Sequence, residues 1–135
     1  MLGNLRSSRS RYEQRREAVG EAGTVQRKSA SSYEVRVARA LDKLKIRYDF
    51  QYELFGGRGR LGGSILDFLV KTVPLSTPLE VNSNYWHRPT INEDQKILEA
   101  MLFQLGGFNP LVVLWDADLV DDDTTLASLR RELGM

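Results

Sequence analysis

Ser64-Ile65-Leu66-Asp67-Phe68-Leu69-Val70-Lys71-Thr72 and Pro78-Leu79-Glu80-Val81-Asn82-Ser83 are two apolar segments that each carry one acid near the middle. Both have strand length, and a Pro74 to Pro78 turn separates them, so they are predicted as consecutive strands. Side chains alternate along a strand, which puts Asp67 on a face with Ile65 and Leu69. A carboxylate among such neighbours is costly to bury unless it is paired or binds a cation. Two adjacent strands that each present an acid at mid-length would, where the acids converge, form an oxygen-rich site suited to Mg²⁺ or Mn²⁺.

Working outward, Val37, Ala38, Leu41 and Leu44 recur at helical spacing with Arg36, Arg39 and Lys43 opposite, which predicts an amphipathic helix over 32–45. Ser31 or Ser32 can serve as its N-cap. Glu34 lies on the apolar stripe, one turn before Val37 and Ala38, so a third acid is expected to point inward. The aromatic, alternating stretch 46–55 reads as a strand, and the glycine-rich 56–63 as a turn. A loop over 84–90 precedes a second helix over about 92–106, with a stripe of Ile97, Leu98, Met101, Leu102 and Leu105. Asn92 and Gln95 have capping-pair spacing, Asp94 falls on the stripe side, and Gly106-Gly107 ends the helix. Leu111 to Trp115 is a buried strand, and the acidic turn Asp121 to Asp123 opens a last helix to Leu133. The order α-β-β-β-α-β-α predicts a mixed α/β fold, with a mixed central sheet flanked by helices.

The 135 residues suffice for one domain, and 41% hydrophobic content supports a core. Cysteine is absent, which excludes disulfides and cysteine-held zinc and suits a reducing compartment. The short apolar runs predict neither a membrane span nor a signal peptide, so a cytoplasmic location is expected. Net charge is only +1, but residues 1–28 hold seven Lys/Arg against three Glu. That segment reads as a basic, flexible arm before a single domain over 29–135. It would contact nucleic acid or simply remain solvated.

Each acid taken alone would most often be a salt-bridge partner; three on inward faces favour a metal site. His87, the one histidine, is either a proton-transfer or phosphate-contacting group or an exposed loop residue. Arg58 and Arg60 among glycines read equally as a phosphate grip or a solvated turn. The glycine loop joins strands rather than opening a helix, so no nucleotide cofactor is expected.

Asp67, the turn-and-strand spacer and Glu80-Val81-Asn82, in register with this element order, resemble the bipartite motif of PD-(D/E)XK nucleases and the restriction-endonuclease-like core that carries it. Glu34 matches the acid often found on that superfamily's first helix. The segment from Glu80 to His87, the acid-rich Glu93-Asp94-Gln95-Lys96 and the strand ending at Trp115 are similar to the very-short-patch-repair-like branch. The resemblance implies a Mg²⁺- or Mn²⁺-dependent DNA endonuclease. Asp67, Glu80 and the Val81 carbonyl would hold the metal, and His87 or Lys96 would assist proton transfer. Arg58, Arg60 and Arg88 would hold DNA, and two copies would pair where both strands are cut. Asn82 stands where the motif has lysine; it can position water or phosphate but carries no charge. Lys96 falls opposite the stripe and would have to reach the site from the first turn of its helix. The alternative is a catalytically degenerate module that serves DNA binding or assembly in a phage or nucleoprotein complex.

Overall fold

The computed structural model describes residues 23–54, 64–82 and 88–135, with backbone alone for 88–92. Two short strands open it, β1 (Thr24–Val25) and β2 (Lys28–Ser29), joined by Gln26 and Arg27, whose φ angles of 50° and 68° are left-handed. A two-residue hairpin turn needs that conformation, but neither residue is among those that adopt it easily. Val25 is buried in the core. The folded unit thus includes the end of the segment expected to be an arm, and the expected boundary at 28/29 falls inside the hairpin.

Helix α1 spans Ser32–Lys43. Ser31 is the N-cap: its Oγ accepts the Glu34 amide at 3.2 Å, and Glu34 Oε1 accepts the Ser31 amide at 2.9 Å. This reciprocal capping box satisfies two amides the helix cannot. At the other end Lys45, at φ 58°, donates its amide to the Asp42 carbonyl at 3.0 Å, and Ile46 donates to Leu41 at 3.1 Å. That is a Schellman closure with lysine where glycine is usual.

Strands β3 (Tyr48–Leu54), β4 (Ser64–Val70) and β5 (Thr77–Asn82) are antiparallel neighbours. Helix α2 (Arg88–Leu105) then crosses over, and β6 (Val112–Trp115) lies parallel to β5, giving the sheet order β3-β4-β5-β6. A one-turn 3₁₀ helix, Asp116–Leu119, leads to α3 (Asp122–Leu133), capped by Asp121. The result is a mixed α/β fold with a mixed four-stranded sheet flanked by helices.

Two apolar clusters fill the layers. One joins α1 and α3 to the sheet through Val37, Leu41, Phe50, Phe68, Leu79 and Leu129; the other joins α2 to it through Leu54, Leu66, Leu69, Leu98 and Leu102. Phe50 and Phe68 meet at 5.1 Å between ring centroids. Arg36 donates to the Leu119 carbonyl at 2.7 Å and Arg39 pairs with Asp122 at 2.8 Å. The basic face of α1 thereby clamps the C-terminal elements.

Helix α2 begins at Arg88, four residues before the predicted start, so Asn92 lies inside the helix rather than at its cap. Pro89 in the first turn explains this: its missing amide is one the helix leaves unpaired anyway. The inward stripe is Leu98 and Leu102, while Ile97 is 62% exposed, so the apolar face is rotated from the predicted one. Asn109 staples the turn between β4 and β5 to the approach to β6. Its Nδ2 reaches the Leu75 carbonyl and Thr77 Oγ1, both at 2.9 Å, and its amide donates to the Ser76 carbonyl at 2.8 Å. Among the described residues, no helix is long and apolar enough to cross a membrane.

Candidate metal centre

The ladder between β4 and β5 runs through Val70↔Thr77, Leu69↔Pro78 and Phe68↔Leu79. The next pair in that register is Asp67 with Glu80, and there the backbone pairing stops. Side chains replace it. The Val81 amide donates to Asp67 Oδ2 at 2.7 Å, and the Asp67 amide donates to Glu80 Oε2 at 3.2 Å. Each carboxylate therefore sits within hydrogen-bonding reach of the other residue's strand, and the two acids converge where the strands part.

The same position interrupts the ladder on the other side. Pairs Phe50↔Phe68 and Tyr52↔Leu66 flank a gap at Gln51 and Asp67, and Gln51 has a φ of 55°. Leu66 packs with Leu69 in the α2 cluster, whereas Phe68 packs in the α1 cluster. Strict alternation would put Leu66 with Phe68, so the pleat inverts around Asp67. The simple expectation that Asp67 shares a face with Ile65 and Leu69 does not survive this inversion. Left-handed backbone inside a strand is costly and gathers at functional positions.

Glu80 and Asn82 have a clearer setting. Leu79 and Val81 pack toward α1, so Glu80 and Asn82 alternate onto the face covered by α2. Glu80 and Asn82 are both half-buried, opposite Val113 and Trp115 of β6. In a strand the amide and carbonyl of one residue point the same way, so the Val81 carbonyl faces β4 and Asp67, as its amide does.

These donors suit a hard cation. Two carboxylates and a backbone carbonyl are oxygen ligands, and Mg²⁺ is commonly held by one or two carboxylates with several waters kept. An ionised carboxylate has about four lone-pair positions, so an amide bond does not exhaust it. Among the described residues, no group of three or more His, Cys, Asp or Glu could hold a metal ion. Glu34 is the reason the expected third acid is not there. It is buried, but its carboxylate closes the α1 capping box and is not gathered with Asp67 and Glu80.

Lys96 is exposed on α2, as is Asp94, so neither is brought to the acid pair; for Asp94 this corrects the predicted inward position. Arg88 opens α2, with its side chain outside the described atoms. Arg58, Arg60 and His87 lie outside the described residues. Sequence reasoning did not single out Gln95 beyond its capping-pair spacing. It faces inward, one turn before Leu98, and its Oε1 is buried without a hydrogen-bond partner among the described residues. The Gln95, Leu98, Leu102 spacing held that signal, but the predicted stripe was centred on Ile97.

No family model, curated protein or solved structure matches this chain.

Proposed function

We propose that the chain is a Mg²⁺- or Mn²⁺-dependent endonuclease that hydrolyses DNA phosphodiester bonds, in the manner of the PD-(D/E)XK nucleases its motif resembles. The observation that carries the reading is the crossed pair of Asp67 and Glu80, each accepting an amide from the other's strand where β4 and β5 part. Two carboxylates brought this close form an oxygen-rich position of the kind that suits a divalent cation.

A divalent ion held there supplies Lewis-acid polarisation of a phosphoryl oxygen and lowers the pKa of water. Asp67, Glu80 and the Val81 carbonyl hold that charge and fix its position. Asn82, on the same face as Glu80, hydrogen-bonds a phosphate oxygen without adding charge. His87 moves the proton, and Arg58, Arg60, Arg88 and the basic N-terminal segment grip the backbone phosphates. A homodimer supplies two such sites where both strands are cut, and a cytoplasmic location goes with the reading.

A degenerate DNA-binding or assembly module is the second reading, favoured by Asn82 at the motif's lysine position. The test is incubation with supercoiled plasmid and branched DNA in Mg²⁺, Mn²⁺ or EDTA, beside Asp67→Ala and Glu80→Ala. Metal-dependent cutting lost in both folded variants supports the nuclease. DNA binding that ignores divalent ions, with no cutting, supports the module.

A further inference from the structure

Helix α2 is apolar on two sides. Leu98 and Leu102 turn into the core, yet Ile97 and Phe103 are 62% and 89% exposed. At 3.6 residues per turn the side opposite Leu98 and Leu102 is centred on Ala100, with Ile97 on one flank and Phe103 on the other, and all three are exposed. A helix with large apolar groups all round ordinarily lies buried, and contiguous exposed apolar surface marks an interaction site. Phe103 also walls a groove with Leu102, Phe108, Pro110 and Leu111, which widens the apolar surface on its flank.

The pattern itself says what covers this face. Ile97 and Phe103 each lie three residues from Ala100, so the apolar flanks read the same from either end. An antiparallel pair of identical helices, related by a twofold axis at Ala100, requires that symmetry, and an unrelated partner does not. Charge divides at the same point. Glu93, Asp94, Lys96 and Glu99 precede Ala100, and residues 100–107 carry no charge. An antiparallel pair sets each charged half against an uncharged one, whereas a parallel pair would stack Glu93 on Glu93 and Glu99 on Glu99. The small side chain at the crossing permits approach to about 8 Å between axes. Nucleic acid or an anionic membrane surface would want cations along this stretch, where three of the four charges are acids.

We propose that the outer face of α2 is a self-association surface, on which a second copy of this chain lays its own α2 antiparallel across Ala100. Ile97 of one copy then stands level with Phe103 of the other, and Lys96 with Gln104. The overlap over 95–105 is about 16 Å long. That is at the small end of specific interfaces, under roughly 1,200 Å² in total, so the pair forms at micromolar concentrations. The surface is independent of the acid pair: it is where a homodimer forms, whatever Asp67 and Glu80 bind.

Sedimentation velocity of the whole chain from about 1 to 500 µM tests it. The parent should pass from monomer to dimer across that range. Ala100→Arg, at an exposed helical position that arginine suits, should keep the parent's circular dichroism and stay monomeric throughout. Phe103→Gln removes one anchor from each copy and should raise the dissociation constant at least about 30-fold. The chain has no cysteine, so single replacements report the register. Ala100→Cys should cross-link two copies on mild oxidation, while Gln104→Cys, about 12 Å from its mate along the axis, should not. A monomer at every concentration overturns the proposal. So does a dimer unweakened in either Ala100→Arg or Phe103→Gln, or equal cross-linking in the two cysteine variants. None of these results touches the acid pair, which metal binding judges separately.

Discussion

Asp67 Oδ2 holds the Val81 amide at 2.7 Å, where a regular antiparallel ladder would have a backbone carbonyl. Asparagine can accept the same amide and carries no charge to repel Glu80. Asp67→Asn should therefore leave the metal-free fold as stable as the parent or more so. Asp67→Ala leaves the amide without its acceptor and should fall below Asp67→Asn by about 1–2 kcal/mol. Urea denaturation in EDTA measures both. A large loss in the asparagine variant would mark Asp67 as one half of a structural ion pair.

Glu34 is predicted to act on the helix and not on the metal. Glutamine can fill the same place in a capping box, so Glu34→Gln should leave both stability and Mn²⁺ affinity near parental values. Ser31→Ala removes the other half and should cost about 1 kcal/mol. Glu80→Gln, by contrast, should weaken Mn²⁺ binding. The two glutamine variants titrated side by side separate the roles.

Lys45 closes α1 in left-handed backbone that glycine adopts without strain. Its side chain is exposed, so little packing is lost on removing it. Lys45→Gly should raise stability by about 0.5–1 kcal/mol, after allowance for glycine's greater freedom in the unfolded chain. Thermal melting reads the gain.

Gln26 reaches the outer rim of β3, accepting the Phe50 amide at 2.8 Å and donating to the Tyr48 carbonyl. Gln26→Ala should cost about 1 kcal/mol and speed hydrogen exchange at the Phe50 amide, with α3 amides unaffected. Unchanged protection at Phe50 would show that the hairpin, and not this side chain, covers the rim.

Asp121 accepts the Thr124 amide at 2.7 Å, and this bond holds its carboxyl below the usual aspartate range, with Arg36 adding to the effect. A depressed folded-state pKa gives stability that is whole above the unfolded-state value, about 3.9. That stability is lost as pH falls through the lower folded-state value. Asp121→Asn keeps a good N-cap but cannot titrate. Its unfolding free energy should therefore lose less than the parent's between pH 5 and the acid limit, as followed by denaturation across that range.

Period-two and helical patterning made the sheet strands and the three α-helices of the described residues legible. Ser31 was readable as a cap. Glu34 carried two meanings, since a residue at the third helical position is inward-facing in either role. The hairpin at Thr24–Ser29 was not readable: Gln26 and Arg27 are poor turn residues, and Gln26 is held there by bonds to β3, 22 and 24 residues away. The pairing of Asp67 with Glu80 followed from two adjacent strands with central acids. The inversion at Asp67 did not, because its cause is the backbone of Gln51 on a neighbouring strand.

The Gln26 contact also bears on how two copies could meet. An uncovered outer strand invites a second chain to add on edge to edge. Here the start of β3 already has its amide and carbonyls occupied, with Lys28 Nζ on the Phe50 carbonyl at 2.9 Å, and the bend at Gln51 spoils the line beyond. Continuous sheet extension through this side is closed, so a symmetric pair would form across helices or along β6, and the spacing of its two acid pairs would follow from that choice.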